Sequence, residues 1–290
     1  MKQLLGVIGG SGLYNFEEMN IINQHKVDTP WGGTSGPIVE CEYNKQTIFF
    51  LSRHGEDHTI PPSKINYRAN IDALKNLGVT DILSISAVGS LKDNLAPGSF
   101  VVIDQFIDFT KDRDSTFFED IVVHVSMANP TDETLMHISK LVLEKLSISH
   151  QCGGTYLCIE GPQFSTLAES KLFQSWECDV IGMTSMPEAK LCREASLRYT
   201  NIGMITDYDC WHPEYENVEV SNVLSTLDNN VKKAKKLIQE FLFLYSKTTF
   251  KNNLNSFNSL VTKKNKIKLD TALKLQNIMP DLLKSLSSDN

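Results

Sequence analysis

No CxxC pair occurs anywhere in the sequence, and no histidine stands at zinc-finger spacing from any of its six cysteines. A structural zinc site of that pattern is excluded. Cys41, Cys152, Cys158, Cys178, Cys192 and Cys210 read instead as reduced thiols in a cytoplasmic protein, most of them small core residues. Long apolar runs are missing too, so no bilayer span is expected. Met1 to Leu5 leads straight into glycines without an apolar h-region or cleavage site, so no signal peptide is expected. Positive charge is short: 28 Lys and Arg stand against 35 Asp and Glu, a formal charge of −7. That balance argues against a nucleic-acid or membrane-surface binder, and still allows a local basic pocket for a small anion. There is no GxSxG and no readable Ser-His-Asp or Cys-His arrangement, so a covalent hydrolase has no support. A GxGxxG fingerprint starting at Gly10 would need glycine at position 15, which is Asn15. Internal repeats are absent as well.

What is present is a core-forming chain, with 41% hydrophobic residues in 290. Apolar runs at Leu4–Ile8, Thr47–Ser52, Asp81–Val88, Phe100–Asp104, Thr155–Ile159, Asp179–Met183 and Tyr199–Thr206 read as strands. Helical spacing marks Asn66–Leu77, Thr131–Leu146, Thr166–Trp176, a segment from Pro187 through Leu197, and Val220–Tyr245. Strands alternating with helices predict an α/β fold with a mainly parallel or mixed sheet. Residues 1–245 read as one domain and 246–290 as a tail. In the tail, Lys251–Lys268 reads as a solvated loop and Leu269–Leu286 as one further helix.

Several strand ends carry groups suited to chemistry. Gly9-Gly10-Ser11-Gly12 after the first strand is either an ordinary tight turn or a cradle for one phosphate, with Ser11 donating. Arg53-His54 is either a surface salt-bridging pair or a bidentate phosphate donor with a second donor beside it. Ser86-Ala87, before a small turn at Gly89-Ser90, offers a hydroxyl and an N–H or is merely small. Their convergence on one edge of the sheet favours an oxyanion site. Thr206-Asp207-Tyr208-Asp209-Cys210-Trp211 puts two carboxylates just past a strand, facing one side if the chain stays extended. A carboxylate accepts from an exocyclic amine, and a protonated one donates to a ring nitrogen. One of the two could instead cap a turn. Phe164 offers a ring to stack on a base, and Met183-Thr184 an apolar contact plus a hydroxyl; each is also compatible with a core position.

Taken in order, these motifs resemble the 5′-methylthioadenosine phosphorylase family, within the trimeric purine nucleoside phosphorylase superfamily. The resemblance rests on Gly9–Leu13, Arg53-His54-Gly55, Asn66–Asn70, Ser86–Leu91, Asp104–Asp108, Glu160–Ser165, Met183–Glu188 and Thr206–Trp211, and runs from about Leu4 to about Tyr245. It implies a phosphorylase/hydrolase-like fold, a central mixed sheet surrounded by helices, and a homotrimer. It implies phosphorolysis of a purine nucleoside, with inorganic phosphate as co-substrate and neither metal nor cofactor. By the same resemblance Ser11, Arg53, His54, Ser86, Ala87 and Thr184 hold phosphate. Met183 packs on the ribose and meets its hydroxyls through the backbone, while Phe164 borders the base. Asp207 and Asp209 take the purine N7 and the 6-amino group and carry the catalysis. Val220 and Val223 line the 5′ methylthio pocket, and His124 reaches the neighbouring subunit's substrate. Ser11 and Ser86 stand where threonine is frequent in the family, and both keep the hydroxyl.

Three other functions compete with this one. A phosphorylase for 6-oxopurine nucleosides or methylthioinosine would prefer an amide donor where Asp207 and Asp209 sit. A non-catalytic nucleotide-binding protein would not need the full donor set. A hydrolytic nucleosidase would leave the Arg53-His54 anion site without a purpose.

Overall fold

The structure is a computed structural model of the chain. It describes residues 3–10, 13, 19–213, 220–251 and 254–287, with backbone alone at 220–225 and 287. In chain order the elements are β1 (Leu5–Gly9), β2 (Asn20–His25), β3 (Asp28–Thr29), β4 (Gly32–Gly33), β5 (Ile38–Tyr43), β6 (Gln46–Ser52), α1 (Tyr67–Asn76), β7 (Asp81–Ser90), β8 (Phe100–Ile103) and β9 (Gln105–Phe109). There follow α2 (Glu133–Lys145), β10 (His150–Cys152), β11 (Thr155–Ile159), α3 (Leu167–Ser175), β12 (Val180–Gly182), α4 (Ser185–Glu194), β13 (Arg198–Asp207), α5 (Val220–Tyr245), α6 (Leu269–Lys274) and α7 (Pro280–Ser287).

The main sheet runs β10-β8-β13-β7-β1-β6-β5-β2, and β12 joins it to β11 and β9 by pairing with β7. β6, β1, β7 and β13 are parallel, so their carboxyl ends lie along one edge. β8 and β12 pair antiparallel with this core, which makes the sheet mixed, as expected. β1 and β13 are buried along most of their length, in keeping with parallel strands covered on both faces. One face packs on Ile71 and Leu74 of α1 and Ala189 and Leu191 of α4. The other packs on Leu135, Ile138 and Val142 of α2 and Ala234, Ile238 and Phe241 of α5. The helix starts follow capping chemistry. Asn66 accepts from the Ala69 N–H, Asp132 from Leu135, and Thr166 forms a reciprocal box with Glu169. Among the described residues no helix is long and apolar enough to cross a membrane.

The structure departs from the sequence expectations in three places. Gly89-Ser90 is not a turn: β7 continues through Ser90, and Gly89 pairs with Ile181 on β12 and Asp207 on β13. The segment 251–268 is not simply solvated. Phe257, Leu260 and Ile267 pack against the core, and Leu260 bridges to Val123. The final helix is two: α6 ends at Lys274, and Pro280, whose missing N–H costs nothing at a helix start, opens α7. Ala272, Leu275, Ile278, Met279 and Leu282 of this tail join the same apolar cluster as α1 and α4.

Candidate active site

A cavity of about 500 Å³ opens at the carboxyl ends of β1, β6, β7 and β13. Nine residues singled out from sequence line it together: Arg53, His54, Ser86, Ala87, Phe164, Met183, Thr184, Asp207 and Asp209. Ser11 lies outside the described residues, although Gly10 beside it reaches the cavity. Val220 and Val223 belong to α5, which carries the cavity-lining Leu227 and Val231, but their side chains lie outside the described residues. His124 does not line the cavity of its own chain. It is exposed, and its N–H donates to the Ser259 carbonyl.

At one end stands Arg53, only 1% exposed. It is neither a surface arginine nor a free bidentate fork, as the sequence alone allowed. Its Nε and Nη2 donate to the two carboxylate oxygens of Glu188, each at 3.1 Å. Nη2 also donates to Ser84 Oγ at 2.8 Å, and Nη1 to the Ile85 carbonyl at 2.8 Å. His54 also differs from expectation. Its Nδ1 lies 2.9 Å from the Ile60 carbonyl, which can only accept, so Nδ1 carries the proton. Burial lowers its pKa to about 4, which leaves the ring neutral and Nε2 an acceptor rather than a second donor. His58 stacks on it with ring centroids 4.2 Å apart and also lines the cavity. Ser86 is buried, and Ala87 is the exposed residue of β7; both line the cavity. Thr184 lies just before α4, and its side chain makes no capping bond but hydrogen-bonds with the Tyr156 hydroxyl; Met186 is extended (φ −119°, ψ 133°), so regular helix begins at Pro187.

At the other end Asp207 closes β13. Its Oδ2 accepts from Thr206 Oγ1 at 2.7 Å and its Oδ1 from the Asp209 N–H at 2.8 Å. The second bond exists because Asp209 is not extended: its φ is +51°, which curls the chain back. The Asp207 carboxylate therefore meets the Asp209 backbone through this turn, and both side chains line the cavity without the chain staying extended. Burial raises the pKa of Asp207, and burial first, then the Asp207 charge, pushes Asp209 up to about 6. Asp209 Oδ2 is buried and makes no hydrogen bond of normal geometry among the described residues, while the nearby Ser170 hydroxyl opposes the rise in its pKa. Gly89 makes room for the pair. A Cβ there would stand 2.8 Å from Asp207 Oδ1 and 3.1 Å from Ile181 Cγ2.

Arg113 carried no sequence signal, standing in an irregular stretch. Its guanidinium donates to the carbonyls of Met183 and Met186 at 2.7 Å, to that of Glu160 at 2.8 Å, and to Glu160 Oε1 at 3.0 Å. It thereby ties the Glu160 and Met183 segments into one wall.

An anion end with hydrogen-bond donors and an enclosed carboxylate end, one cavity apart, is a layout for joining phosphate to a nitrogen heterocycle's sugar. Residues 4–242 match the sequence model of the phosphorylase superfamily. The chain is 52% identical over 239 residues to an S-methyl-5′-thioadenosine phosphorylase of Rhodospirillum rubrum, covering 82% of this chain and 81% of that one. It is 43% identical over 281 residues to that of Koribacter versatilis, covering 96% of each. A solved methylthioadenosine phosphorylase from an antarctic soil metagenomic library superposes with a TM-score of 0.90 at 42% identity, over 95% of this chain and 98% of its own. A methylthioadenosine phosphorylase from Schistosoma mansoni, solved in complex with adenine, does so with a TM-score of 0.85 at 34% identity, over 89% and 99%. Within the superfamily, this chain belongs to the S-methyl-5′-thioadenosine phosphorylase family.

Proposed function

We propose that the protein catalyses phosphorolysis of S-methyl-5′-thioadenosine, yielding adenine and 5-methylthioribose 1-phosphate. The observation that carries this reading is the carboxylate pair Asp207 and Asp209 lining the same cavity as Arg53, Ser86 and Thr184. A carboxylate acceptor suits the 6-amino group of adenine, and the hydroxyl and guanidinium donors suit phosphate. In the reaction the C1′–N9 bond breaks with its electron pair going to the purine. A phosphate oxygen then forms the new bond to C1′. Positive charge builds on the sugar and negative charge on the base. Asp207 answers the second by delivering a proton to N7; its burial already favours the protonated form, and a bound purine encloses it further. Phosphate is itself the nucleophile, so the step calls for no protein nucleophile and no resident cofactor. Phe164, bordering the base, and the Met183 N–H, at the ribose, position the nucleoside, and holding both substrates in one cavity removes much of the entropic barrier. The 6-oxopurine alternative would set a base carbonyl against Asp209, an acceptor against an acceptor.

We also propose a cytoplasmic homotrimer as the active form. His124 is exposed and does not line its own cavity, which suits a role in a neighbour's 5′ pocket. The free cysteines suit a reducing compartment. Light scattering is expected near three times the 32.6 kDa chain mass. A fully active monomer would overturn the trimer.

The primary test incubates the protein with S-methyl-5′-thioadenosine, with and without phosphate, and follows adenine. Release is expected only with phosphate. Equal release without it would make the protein a hydrolase, and binding with no release under either condition would make it a nucleotide-binding protein.

A further inference from the structure

Beneath the anion end lies a polar cluster that a binding pocket does not need for its walls. Glu188, in the first turn of α4, is 2% exposed. Its Oε1 accepts from Arg53 Nη2 at 3.1 Å, from Ser84 Oγ at 2.5 Å and from Tyr199 OH at 3.0 Å, and its Oε2 accepts from Arg53 Nε at 3.1 Å. Ser84 Oγ also receives from Arg53 Nη2 and from Asn201 Nδ2. Of the five guanidinium N–H groups, one on Nη1 has no described partner.

We infer that Glu188 is a positioning and charge-setting residue for the phosphate end: it aims Arg53 and cancels its charge before the anion arrives. The inference rests on the phosphate reading of this cavity. With Glu188 in place, the phosphate end is a set of aligned donors with no net positive charge. Its other basic groups fit this. His54 is neutral, and the His58 pKa is also lowered by burial. The consequence is chemical. A phosphate dianion clamped by an unpaired guanidinium would bind tightly in the ground state, and its charge would be partly spent before the sugar cation forms. Binding that does not increase in the transition state lowers KM without raising turnover. A neutralised arginine orients the nucleophile while leaving its charge to meet C1′.

A purely structural Glu188 and a charge-setting one predict opposite signs. In Glu188→Gln, Arg53 faces the cavity with its charge unopposed. The KM for phosphate and the inhibition constant for sulfate, a non-reacting mimic, are expected to fall roughly fivefold, about the difference between a neutral and a charge-assisted bond. The KM for S-methyl-5′-thioadenosine should stay unchanged while kcat falls. A folded Glu188→Gln whose phosphate KM is unchanged or raised overturns the inference. If that variant fails to fold, Tyr199→Phe decides. It removes one donor to Glu188, so the carboxylate faces Arg53 more fully, and phosphate KM should rise at least about twofold with the nucleoside KM fixed. Equal movement of both constants, or of neither, in Tyr199→Phe overturns it. Absence of competition between sulfate and phosphate in the unmodified protein would instead refute the phosphate site itself, before either variant is consulted.

Discussion

Asp207→Ala is expected to lower kcat on S-methyl-5′-thioadenosine by roughly 10²–10⁴-fold, the scale of a lost general acid, with a much smaller change in KM. The leaving purine would then depart as an anion in an enclosed site. Asp209 is a poor substitute, because its left-handed backbone and its own approach to the base place its free oxygen elsewhere. The substitution also deprives the Asp209 N–H of its acceptor, at about 1 kcal/mol, while the Thr206 hydroxyl keeps the Val88 carbonyl. A thermal melt must therefore accompany the kinetics. A nearly unchanged melt with a hundredfold or greater loss of kcat supports the role, and near-normal turnover would sink it. Asp207→Asn sharpens the test. An amide oxygen can still accept from the Asp209 N–H, and its NH2 can still donate to N7 without giving up a proton, an arrangement that should move selectivity toward 6-oxopurines. An unchanged adenine preference in that variant would mean Asp207 does not read the base edge.

The strand ends were legible because apolar runs stop at recognisable punctuation. Gly9, Arg53 and Asp207 each follow a buried run, and parallel strands bring such ends to one edge. What each group does there was less legible, since that depends on partners far away in sequence. Arg53 meets Glu188 across 135 positions, and nothing distinguishes Glu188 from an ordinary first-turn acid. His54 is fixed as an acceptor by the Ile60 carbonyl, which a residue list does not show. Arg113 acts through main-chain carbonyls, which leave no trace in side-chain patterning. The Asp207–Asp209 contact needs a positive φ at a non-glycine residue, so both carboxylates reach one cavity as two-residue alternation expected, but through a turn that alternation does not show. The tail was misread for a related reason. Phe257, Leu260 and Ile267 have neither helical nor strand periodicity, so their anchoring became visible only against the surface they cover.

Arg53→Ala is expected to destabilise the protein as much as it impairs phosphate use. It leaves Glu188 buried among Ser84 and Tyr199 with no countercharge, and breaking one side of a buried pair typically costs about 3–5 kcal/mol. For a chain of this size that lowers the melting temperature by roughly 10 °C. Kinetics of this variant alone would not separate a lost phosphate donor from a disturbed fold. The double variant Arg53→Met with Glu188→Met does separate them. Replacing both members of a buried pair by apolar groups of similar length is often nearly neutral, so most of the lost melting temperature should return. Phosphorolysis should not return with it, because the aimed N–H and the Ser84-linked scaffold are gone together. A stable double variant with restored turnover would show that the pair serves packing only. A double variant no more stable than Arg53→Ala would show that the destabilisation comes from lost hydrogen bonds to Ser84, Ile85 and Tyr199 and not from an uncompensated charge.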